Sequence, residues 1–337
     1  MAINKFMILV LLPIIFSSKS VVSISNFPLA KPHCREHCGN IPIPYPFGLT
    51  EECSLNKYFL ITCKNTSRSH RLQAYLMNSI HISNISLDGQ IRVLQEIAHD
   101  CYAPDGTSVS RKIPLISLPH HYNVNSTANM FTIVGCDNYG FVSGSSFLID
   151  CIATCGTEDN FLEGARVEMG CCQRPIPIET SSLEVRLYTS DNYTKVNHSS
   201  KCGYAFVVED SAFRFSPENL TSLRNVKKLP VVVDWGIMND SCLEAQRNSN
   251  SYACKSSNSD CHYPSNGFGY RCLCKEGYEG NPYLPHGCQD IDECKDPSLH
   301  NCKGYCENKE GSYKCSCPKG NFTRDHSPDV CSLLDIL

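Results

Sequence analysis

The residue types best suited to chemistry stand close together near residue 290. Asp290, Asp292 and Glu293 come directly before Cys294. Asn308 follows further along the chain and is placed to fold back onto that cluster. Calcium in proteins takes roughly six to eight oxygen ligands from carboxylates, amide carbonyls and backbone carbonyls. The pattern therefore predicts a calcium site, with an exposed acidic turn that binds no ion as the alternative.

Charge is unevenly distributed along the chain. Residues 31–71 carry six Lys or Arg against three Glu, whereas residues 242–337 carry thirteen acids against ten bases. A basic front suggests a polyanionic partner, and an acidic back suggests a cation. The alternative interpretation is scattered, solvated charge.

The sequence indicates an oxidising, extracellular compartment. The 337 residues include 23 cysteines, a count that favours a disulfide-dense secreted protein. Lys5 precedes an apolar run from Phe6 to Phe16, which is the pattern of a signal peptide over residues 1–23. No later stretch is long and apolar enough for a membrane span. Eight Asn-x-Ser/Thr sequons predict glycosylated surface loops, at Asn65, Asn84, Asn125, Asn192, Asn197, Asn219, Asn239 and Asn321.

The elements that must position these residues read mainly as strands. Long helical periodicity is absent, and short β-rich runs recur between cysteines, among them 57–63, 79–87, 90–97, 131–136, 146–151, 183–188, 204–209 and 229–235. Asp88-Gly89 between two runs predicts a hairpin over 79–97 with a type I′ turn. We therefore expect a mainly β, disulfide-rich multidomain fold.

Cysteines divide the chain into an irregular half and a regular half. Residues 34–202 hold eleven cysteines, so one needs a partner outside that region or stays free. Adjacent Cys171 and Cys172 are expected to staple two different segments. From Cys242 onward two successive sets of six follow, each with a Cys-x-Cys pair and a long last interval.

That order resembles tandem EGF-like modules, over residues 242–288 and 290–331. The resemblance implies first–third, second–fourth and fifth–sixth pairing, which gives Cys242–Cys261, Cys254–Cys272, Cys274–Cys288, Cys294–Cys306, Cys302–Cys315 and Cys317–Cys331. Similarity of the second module to calcium-binding EGF modules implies a ligand set of the Asp290, Glu293 and Asn308 side chains and the carbonyls of Ile291, Lys309 and Ser312. Asp292 would support this cage without coordinating.

Calcium at the junction of the two modules is expected to stiffen them. Only Gln289 separates Cys288 from Asp290, so the ligands lie in the linker itself. Tyr313 is placed to pack on the preceding module. We expect a stiff rod with metal and a bending one without it.

A longer resemblance covers residues 34–331. Residues 34–40 read Cys-Arg-Glu-His-Cys-Gly-Asn and lead into Pro-Tyr-Pro-Phe-Gly at 44–48. The runs Cys-Ile-Ala-Thr-Cys at 151–155, Cys-Cys-Gln at 171–173 and Cys-Gly-Tyr-Ala-Phe at 202–206 follow before the two EGF-like modules. This succession resembles the ectodomain of plant wall-associated receptor kinases.

The resemblance implies a galacturonan-binding cysteine-rich β domain over 30–155 and a middle β domain over 156–240, with the EGF-like tandem as a spacer. It also implies binding to cell-wall pectin or oligogalacturonides, and a location in the cell wall or apoplast. The family's transmembrane helix and kinase are not found in this sequence. The chain is therefore read as a secreted relative, a splice product or an incomplete gene model, and membrane attachment is expected only in the last case.

Pectin is a polyanion of uronic acids, so its binding calls for basic groups on carboxylates and aromatic rings on sugars. The candidates are Arg35, Lys57, Lys64, Arg68 and Arg71, with Tyr45 and Phe47, which the alternating prolines are expected to expose. The alternatives are solvated basic residues and aromatic rings buried in the core.

Three classes of function were weighed. Pectin binding is favoured, and a protein–protein interaction module acting through the EGF-like region is the alternative. A polysaccharide-degrading enzyme is disfavoured, because no paired acids, Gly-x-Ser-x-Gly or His-Glu-x-x-His motif marks a catalytic site. Asp234-Trp235-Gly236 is interpreted as a strand end with Trp235 in the core, and His120-His121 as an exposed loop. We expect no catalytic residues and no nucleic-acid partner.

Overall fold

The computed structural model describes residues 27–65, 71–155, 166–177, 180–189, 201–237, 241–248, 250–264 and 269–316, and the backbone of 322–324 and 331–333. The predicted signal peptide, Arg68 and the Cys317–Cys331 pair lie outside the described residues. So do the sequons at Asn192, Asn197, Asn239 and Asn321.

The front region, which here means residues 27–237, is built almost entirely of strands. In chain order these are β1 (His37–Cys38), β2 (Ile41–Pro42), β3 (Ile61–Asn65), β4 (Leu72–Leu76), β5 (Ile80–Ile85), β6 (Gln90–Glu96), β7 (Ala98–Tyr102), β8 (Ser108–Lys112), β9 (Leu115–Ser117), β10 (Tyr122–Val124), β11 (Asn129–Val134), β12 (Asn138–Ser143), β13 (Leu148–Ala153), β14 (Arg166–Glu168), β15 (Cys171–Pro175), β16 (Ser182–Thr189), β17 (Cys202–Glu209) and β18 (Lys228–Trp235). Helix α1 (Asn219–Ser222) and the 3-10 turns Lys57–Phe59, Asp210–Ala212 and Leu223–Asn225 interrupt them.

The EGF-like region adds short antiparallel hairpins. Its elements are helix α2 (Cys242–Arg247), strands β19 (Ser259–His262), β20 (Arg271–Cys274), β21 (Tyr278–Gly280), β22 (Cys288–Asp290), β23 (Tyr305–Lys309), β24 (Ser312–Ser316), β25 (Phe322–Arg324) and β26 (Cys331–Leu333), and the 3-10 turn Glu293–Lys295. The Ser241 hydroxyl and the Glu244 carboxylate form a capping box at the start of α2.

Three antiparallel sheets organise the front region. Sheet I has the strand order β10-β18-β6-β5-β4-β3, sheet II has β14-β15-β11-β17-β7-β8, and sheet III has β13-β12-β16-β9. The Cys151–Cys172 bridge joins sheet III to sheet II. Arg92 of sheet I binds the Glu209 carboxylate of sheet II, donating from Nε at 2.9 and 3.1 Å and from Nη2 at 2.8 Å. The fold class expected from the sequence, mainly β and disulfide-rich, is confirmed.

Burial along each strand explains its place in the sheets. In β16 every second residue from Leu183 to Leu187 is buried, so this strand turns one face to solvent. Strand β17 is instead buried along its whole middle, from Gly203 to Val208. Its Ala205 and Val207 belong to the main core, whereas Tyr204 and Phe206 belong to a second cluster that is closed by Leu223. A continuous apolar run thus marks a strand that is covered on both faces.

Strand pairing does not respect the expected boundary between residues 155 and 156. Strand β18 lies between β10 and β6 in sheet I, and β15 and β17 flank β11 in sheet II. The ranges 30–155 and 156–240 therefore do not form two separate units. Antiparallel pairing brings together strands that are far apart in sequence, which spacing along the chain does not reveal.

Disulfides close the front region in five places: Cys34–Cys53, Cys38–Cys63, Cys101–Cys202, Cys136–Cys155 and Cys151–Cys172. Cys171 is the free cysteine among those described. The expectation that both Cys171 and Cys172 staple segments is therefore wrong for Cys171. Burial raises the pKa of its thiol to about 12, which keeps it protonated and unreactive at neutral pH.

The hairpin predicted over 79–97 is present as β5 and β6, but its turn is not of type I′. That turn requires positive φ at both central residues, and of the Asp88-Gly89 pair only Gly89 has a positive φ, of 95°. Met77 and Asn78, between β4 and β5, have φ of 50° and 64°. Both values are positive, as a type I′ turn requires. The Asn78 side chain is held there by a hydrogen bond from Thr62 at 2.6 Å.

The first EGF-like module (242–288) packs against the front region. Asn281 is 1% exposed, and its Nδ2 donates to the carbonyls of Leu29 at 2.9 Å and Tyr45 at 2.7 Å. Arg271 Nε donates to the carbonyl of Trp235 at 2.9 Å. The Trp235 ring lies 5.9 Å from that of Tyr283, and both are fully buried in one core. This module is therefore not a free spacer. Trp235 ends β18 and is buried, as the sequence predicts.

The described cysteines of both modules pair first–third, second–fourth and, in the first module, fifth–sixth. The pairs are Cys242–Cys261, Cys254–Cys272, Cys274–Cys288, Cys294–Cys306 and Cys302–Cys315. They are the pairs that the EGF resemblance implies.

Candidate functional site

A cleft opens on sheet I beside the short hairpin that β1 and β2 form. It has a volume of about 630 Å³, and its walls are Gly39–Ile41, Arg71–Ala74, His81–Ser83 and Leu94. Strands β4, β5 and β6 form its floor, since Ala74 pairs with Ile82 and His81 with Leu94. The exposed Arg71 stands at the beginning of β4 and brings a guanidinium group to the rim.

Basic and aromatic side chains follow one another next to this cleft. Lys64 Nζ lies 5.5 Å from the centre of the Tyr75 ring, and that ring stacks on His81 at 5.1 Å. Tyr75 donates its hydroxyl hydrogen to Gln73 Oε1 at 2.7 Å. Burial, together with the positive charge of Lys228, lowers the pKa of His81 below its ordinary value. Near neutral pH the positive charge here therefore comes from Lys64, Arg71 and Lys228.

The structure brings together some of the basic residues singled out in the sequence and not others. Arg71 lines the cleft and Lys64 lies next to it. Lys57 stands elsewhere, 5.1 Å over the Tyr58 ring, which stacks on His121. Arg35 is exposed on the loop before β1.

Tyr45 and Phe47 are not available to a sugar, which corrects the expectation from the proline pattern. Phe47 is 0% exposed and meets Phe59 and Trp235 edge to face, at 5.3 and 5.1 Å. Tyr45 is 7% exposed, and Lys31 Nζ lies 4.6 Å over its ring. The prolines do hold this segment extended, but the extended segment runs under the first EGF-like module and is covered by it.

Residues that sequence reasoning missed are the ones that surround the cleft. Gln73, Tyr75 and His81 were not singled out, although the alternation of β4 places Gln73 and Tyr75 on the same side of the strand. The period-2 pattern was the available signal. It required a register for β4 against β3, in which Lys64 faces Gln73.

The second candidate site is the acidic cluster of the second EGF-like module. Asp290, at the end of β22, accepts a hydrogen bond from Asn308 Nδ2 at 2.7 Å through Oδ2. Its Oδ1 accepts a bond from the backbone N–H of Gly311. Asp290 and Asn308 thus come together from positions 18 residues apart. Lys309 and Ser312 pair at the closed end of the β23–β24 hairpin nearby.

Two oxygen atoms in this cluster lack a protein partner. Glu293 is 8% exposed, and its buried Oε2 finds no hydrogen-bond partner among the described residues. The same holds for Asn308 Oδ1. Leaving a buried oxygen unsatisfied is costly, roughly 1–3 kcal/mol each, so two in one cluster indicate a missing ligand. The donor set of carboxylate and amide oxygens fits a hard cation such as calcium.

Neighbouring groups are compatible with that fit. Asp292 forms an ion pair with Lys295 at 3.0 Å, and its supporting role in the cage stays a prediction. His300, Cys302 and Cys306 also approach one another closely. Both cysteines are in disulfides, so they offer no thiolate to a metal.

The junction between the two EGF-like modules is tight. Ile291 N–H donates to the carbonyl of Gly277 at 2.9 Å. A Cβ on Gly277 would lie 2.2 Å from the carbonyl oxygen of Gly311, so glycine is required there. The Tyr278 ring packs against Gly311 from the first module, whereas Tyr313 faces His300 within its own module, at 5.8 Å.

Among the sequons in the described part, Asn125 departs from the expectation of a surface loop. It is 9% exposed, and its Nδ2 donates to the buried Asp234 at 2.8 Å. Its Oδ1 accepts bonds from the N–H groups of Thr127 and Ala128, at 2.9 and 2.6 Å. A glycan would be attached to the nitrogen that this network uses. Asn65, Asn84 and Asn219 remain at least partly exposed.

None of the helices in the described part of the chain has the length and hydrophobicity needed to cross a bilayer.

Comparison with known proteins places both sites within recognised domains. A family model described as wall-associated receptor kinase galacturonan-binding matches residues 34–95, which include the cleft on sheet I. A model described as calcium-binding EGF domain matches residues 290–331. The chain belongs with the ectodomains of wall-associated receptor kinases. The galacturonan-binding match is shorter than the expected 30–155 domain and ends within β6.

Individual wall-associated receptor kinases are also similar to this chain over most of its length. Wall-associated receptor kinase 2 of Arabidopsis thaliana is 36% identical over 295 residues, which cover 85% of this chain and 38% of that kinase. Wall-associated receptor kinase 5 of the same plant is 34% identical over 305 residues, covering 86% of this chain and 39% of the relative. The chain thus spans about two fifths of the length of these curated relatives.

Proposed function

We propose that the chain binds de-esterified pectin through the cleft on sheet I. The supporting observation is that the galacturonan-binding match at 34–95 coincides with the region where Arg71 and His81 line an open cleft of about 630 Å³. Tyr75 stacks on His81 beside the cleft, and Lys64 lies against Tyr75. A guanidinium binds a carboxylate through two parallel hydrogen bonds, and aromatic rings offer apolar faces to sugars. A uronic acid polymer has both a carboxylate and an apolar ring face in every unit.

Binding of the glycosylated chain to immobilised de-esterified oligogalacturonides tests this proposal. We expect the double variant Lys64→Gln with Arg71→Gln to bind at least about tenfold more weakly, because two charge-assisted contacts are lost. The matched control is Lys303→Gln, which removes an exposed positive charge from the second EGF-like module. Unchanged binding by the double variant, or binding that does not weaken as salt rises, would contradict the proposal.

We propose further that the second EGF-like module binds one calcium ion. The side chains of Asp290, Glu293 and Asn308 would hold it, with the carbonyls of Ile291, Lys309 and Ser312. Support comes from the calcium-binding EGF match and from the two buried, unpartnered oxygens. A bound ion would supply charge neutralisation and a fixed geometry at the module junction. Because the first module already packs on the front region, the stiffening would act only on the step from Gln289 into the second module.

A second candidate function is docking of an extracellular protein on the second EGF-like module. Tyr305 is 67% exposed and Leu299 49%, which is high for large apolar side chains. Pull-down with oligogalacturonide and with wall protein, each with and without residues 290–337, separates the two functions. In both cases the chain is a binding protein of the cell wall or apoplast, with no catalytic role.

A further inference from the structure

The outward side of sheet III carries an unusual set of side chains. Strand alternation sends Val142, Leu187 and their neighbours inward, where they are buried. The same alternation sends Tyr139 and Phe141 of β12 outward, beside Arg186 and Tyr188 of β16. This surface belongs to neither the cleft on sheet I nor the EGF-like modules.

These side chains form one continuous group. The rings of Phe141 and Tyr188 are nearly parallel, with centres 6.0 Å apart, and the ring of Tyr139 lies 6.5 Å from that of Phe141. The Arg186 guanidinium lies 6.0 Å from the Phe141 ring. Arg111 reaches over from β8 of sheet II and places its guanidinium 5.3 Å from the Tyr188 ring. We call these five residues the aromatic face.

The aromatic face is open to solvent. Tyr139 is 41% exposed and Tyr188 is 37% exposed, and the side chains of Arg111 and Arg186 are 43% and 42% exposed. Three aromatic rings gathered on a solvent-facing sheet surface leave apolar area in water, which folded domains usually reserve for a ligand. Gly140 lies between the first two rings, and a Cβ there would meet Ile133 Cδ1 of sheet II at 2.9 Å. Strand β12, which carries two of the rings, therefore packs closely against sheet II at Gly140.

Charge on this surface favours an acidic ligand. Arg186 Nε donates to Glu184 at 2.6 Å, and Arg174 lies 3.5 Å from Asp150, so these two pairs balance. Arg111 remains, and its closest carboxylate is the buried Asp100 at 3.9 Å. The Arg111 side chain is 43% exposed whereas that of Asp100 is 2% exposed, so a ligand on this surface meets the guanidinium group and not the carboxylate. The outward surface thus combines ring faces with an exposed guanidinium group, that of Arg111.

We propose that the aromatic face is a second binding surface for an acidic polysaccharide, whose sugar rings pack on Tyr139, Phe141 and Tyr188 and whose carboxylates meet Arg111. Exposed ring surfaces interleaved with guanidinium groups suit a chain of uronic acid units. The inference takes only the chemical class of its ligand from the proposed function, and it uses none of the same residues.

Polygalacturonate binding in a background that lacks the first site tests the proposal. The chain with Lys64→Gln and Arg71→Gln is compared with the same chain carrying Tyr139→Ala and Tyr188→Ala in addition. The matched control adds Leu243→Ala and Tyr263→Ala, which remove exposed apolar side chains from the first EGF-like module. Secretion level and thermal unfolding show that each variant is folded. A carboxyl-reduced polymer serves as the neutral probe.

We expect residual polygalacturonate binding in the background chain, about tenfold loss of it with the two tyrosine substitutions, and no loss in the control. The reduced polymer should bind more weakly than the acidic one. Equal residual binding with and without the tyrosines, or no residual binding in the background chain, overturns the inference while leaving the cleft on sheet I intact. Conversely, loss through the tyrosines with no effect of Lys64→Gln and Arg71→Gln would overturn the proposed function and keep the aromatic face. Equal binding of the acidic and reduced polymers would overturn the role given to Arg111.

Discussion

At the scale of single residues, His121 makes stability depend on pH. It is 3% exposed, stacks on Tyr58 at 4.2 Å, and its Nδ1 has no hydrogen-bond partner among the described residues. Burial, with a smaller contribution from His120, lowers its pKa below 6.5. The unfolded chain therefore takes up the proton first as pH falls. The stability that neutral His121 provides is fully present above pH 6.5 and is lost as pH falls from there toward the lowered folded pKa.

We expect the free energy of unfolding to decrease between pH 7 and pH 5, and the decrease to be smaller in His121→Phe, which keeps the ring stack without a titrating group. Urea unfolding at several pH values measures it. His120→Phe is the matched control, since His120 is exposed. An equal decrease in wild type and His121→Phe would show that other groups carry the effect.

Asn125 is expected to carry no glycan, although its sequon matches as well as the others. Its amide nitrogen is committed to Asp234 inside the protein, so the site is folded away from the modifying enzyme. Peptide mapping of the secreted chain should find Asn125 unmodified and the exposed Asn65 occupied. The reverse pattern would mean that modification precedes formation of this network. Asn125→Ala should lower stability by roughly 2–4 kcal/mol, because Asp234 and two backbone N–H groups lose their partner.

Residue type and spacing identified the acidic cluster better than the basic cleft. The proposed calcium cage would be assembled from ligands within a short segment, and Asp290 and Asn308 meet through a hydrogen bond across 18 residues. The cleft on sheet I needs residues from three strands, and their registers are set by packing. Tyr45 and Phe47 illustrate the difference, because the segment that should expose them is covered by Asn281 and Tyr283 from more than two hundred residues away.

At the scale of elements, the β23–β24 hairpin and the segment from the end of β22 to the 3-10 turn Glu293–Lys295 hold the proposed calcium ligands in one place. Glu293→Gln removes one negative charge from the cage and should weaken calcium binding at least about tenfold. Asp296→Asn is the matched control, because Asp296 is an exposed acid of the same module whose carboxylate caps the N–H of Ser298. Calorimetric titration with calcium measures both. Equal affinity in wild type and Glu293→Gln would remove Glu293 from the ligand set.

Strand existence was predictable from the sequence because alternation and β-branched runs mark half-buried strands such as β16. The order of strands in the sheets was not. Strand β18 joins β6 and β10 across more than a hundred residues, and nothing in its own composition names those partners. The prediction of a type I′ turn at Asp88-Gly89 was wrong for a local reason. Met77-Asn78 adopts the left-handed conformation that Asp88-Gly89 was expected to adopt, since the Thr62 hydroxyl and Lys64 Nζ bind Asn78 there.

At the scale of the whole molecule, the first EGF-like module and the front region share a single core. Asn281, Arg271 and Tyr283 reach into the front region, and none of these contacts involves the proposed calcium ligands. Cysteine spacing alone predicts an EGF-like module that folds independently and is joined to its neighbours only through linkers. Its disulfides fix its internal fold, but they carry no information on the surface against which it packs.

Removing calcium should therefore bend the molecule at one place only. We expect chelation to change the X-ray scattering profile through movement of the second EGF-like module, and to expose protease sites in 290–316 but not in 242–288. Asn281→Ala should loosen the first module even with calcium present, because the buried carbonyl of Tyr45 loses its donor, at roughly 1–3 kcal/mol. Tyr263→Ala, an exposed change in the same module, should do neither. If chelation made both modules protease-sensitive, the first module would depend on the metal as well. In that case the packing through Asn281 would not be sufficient to hold it.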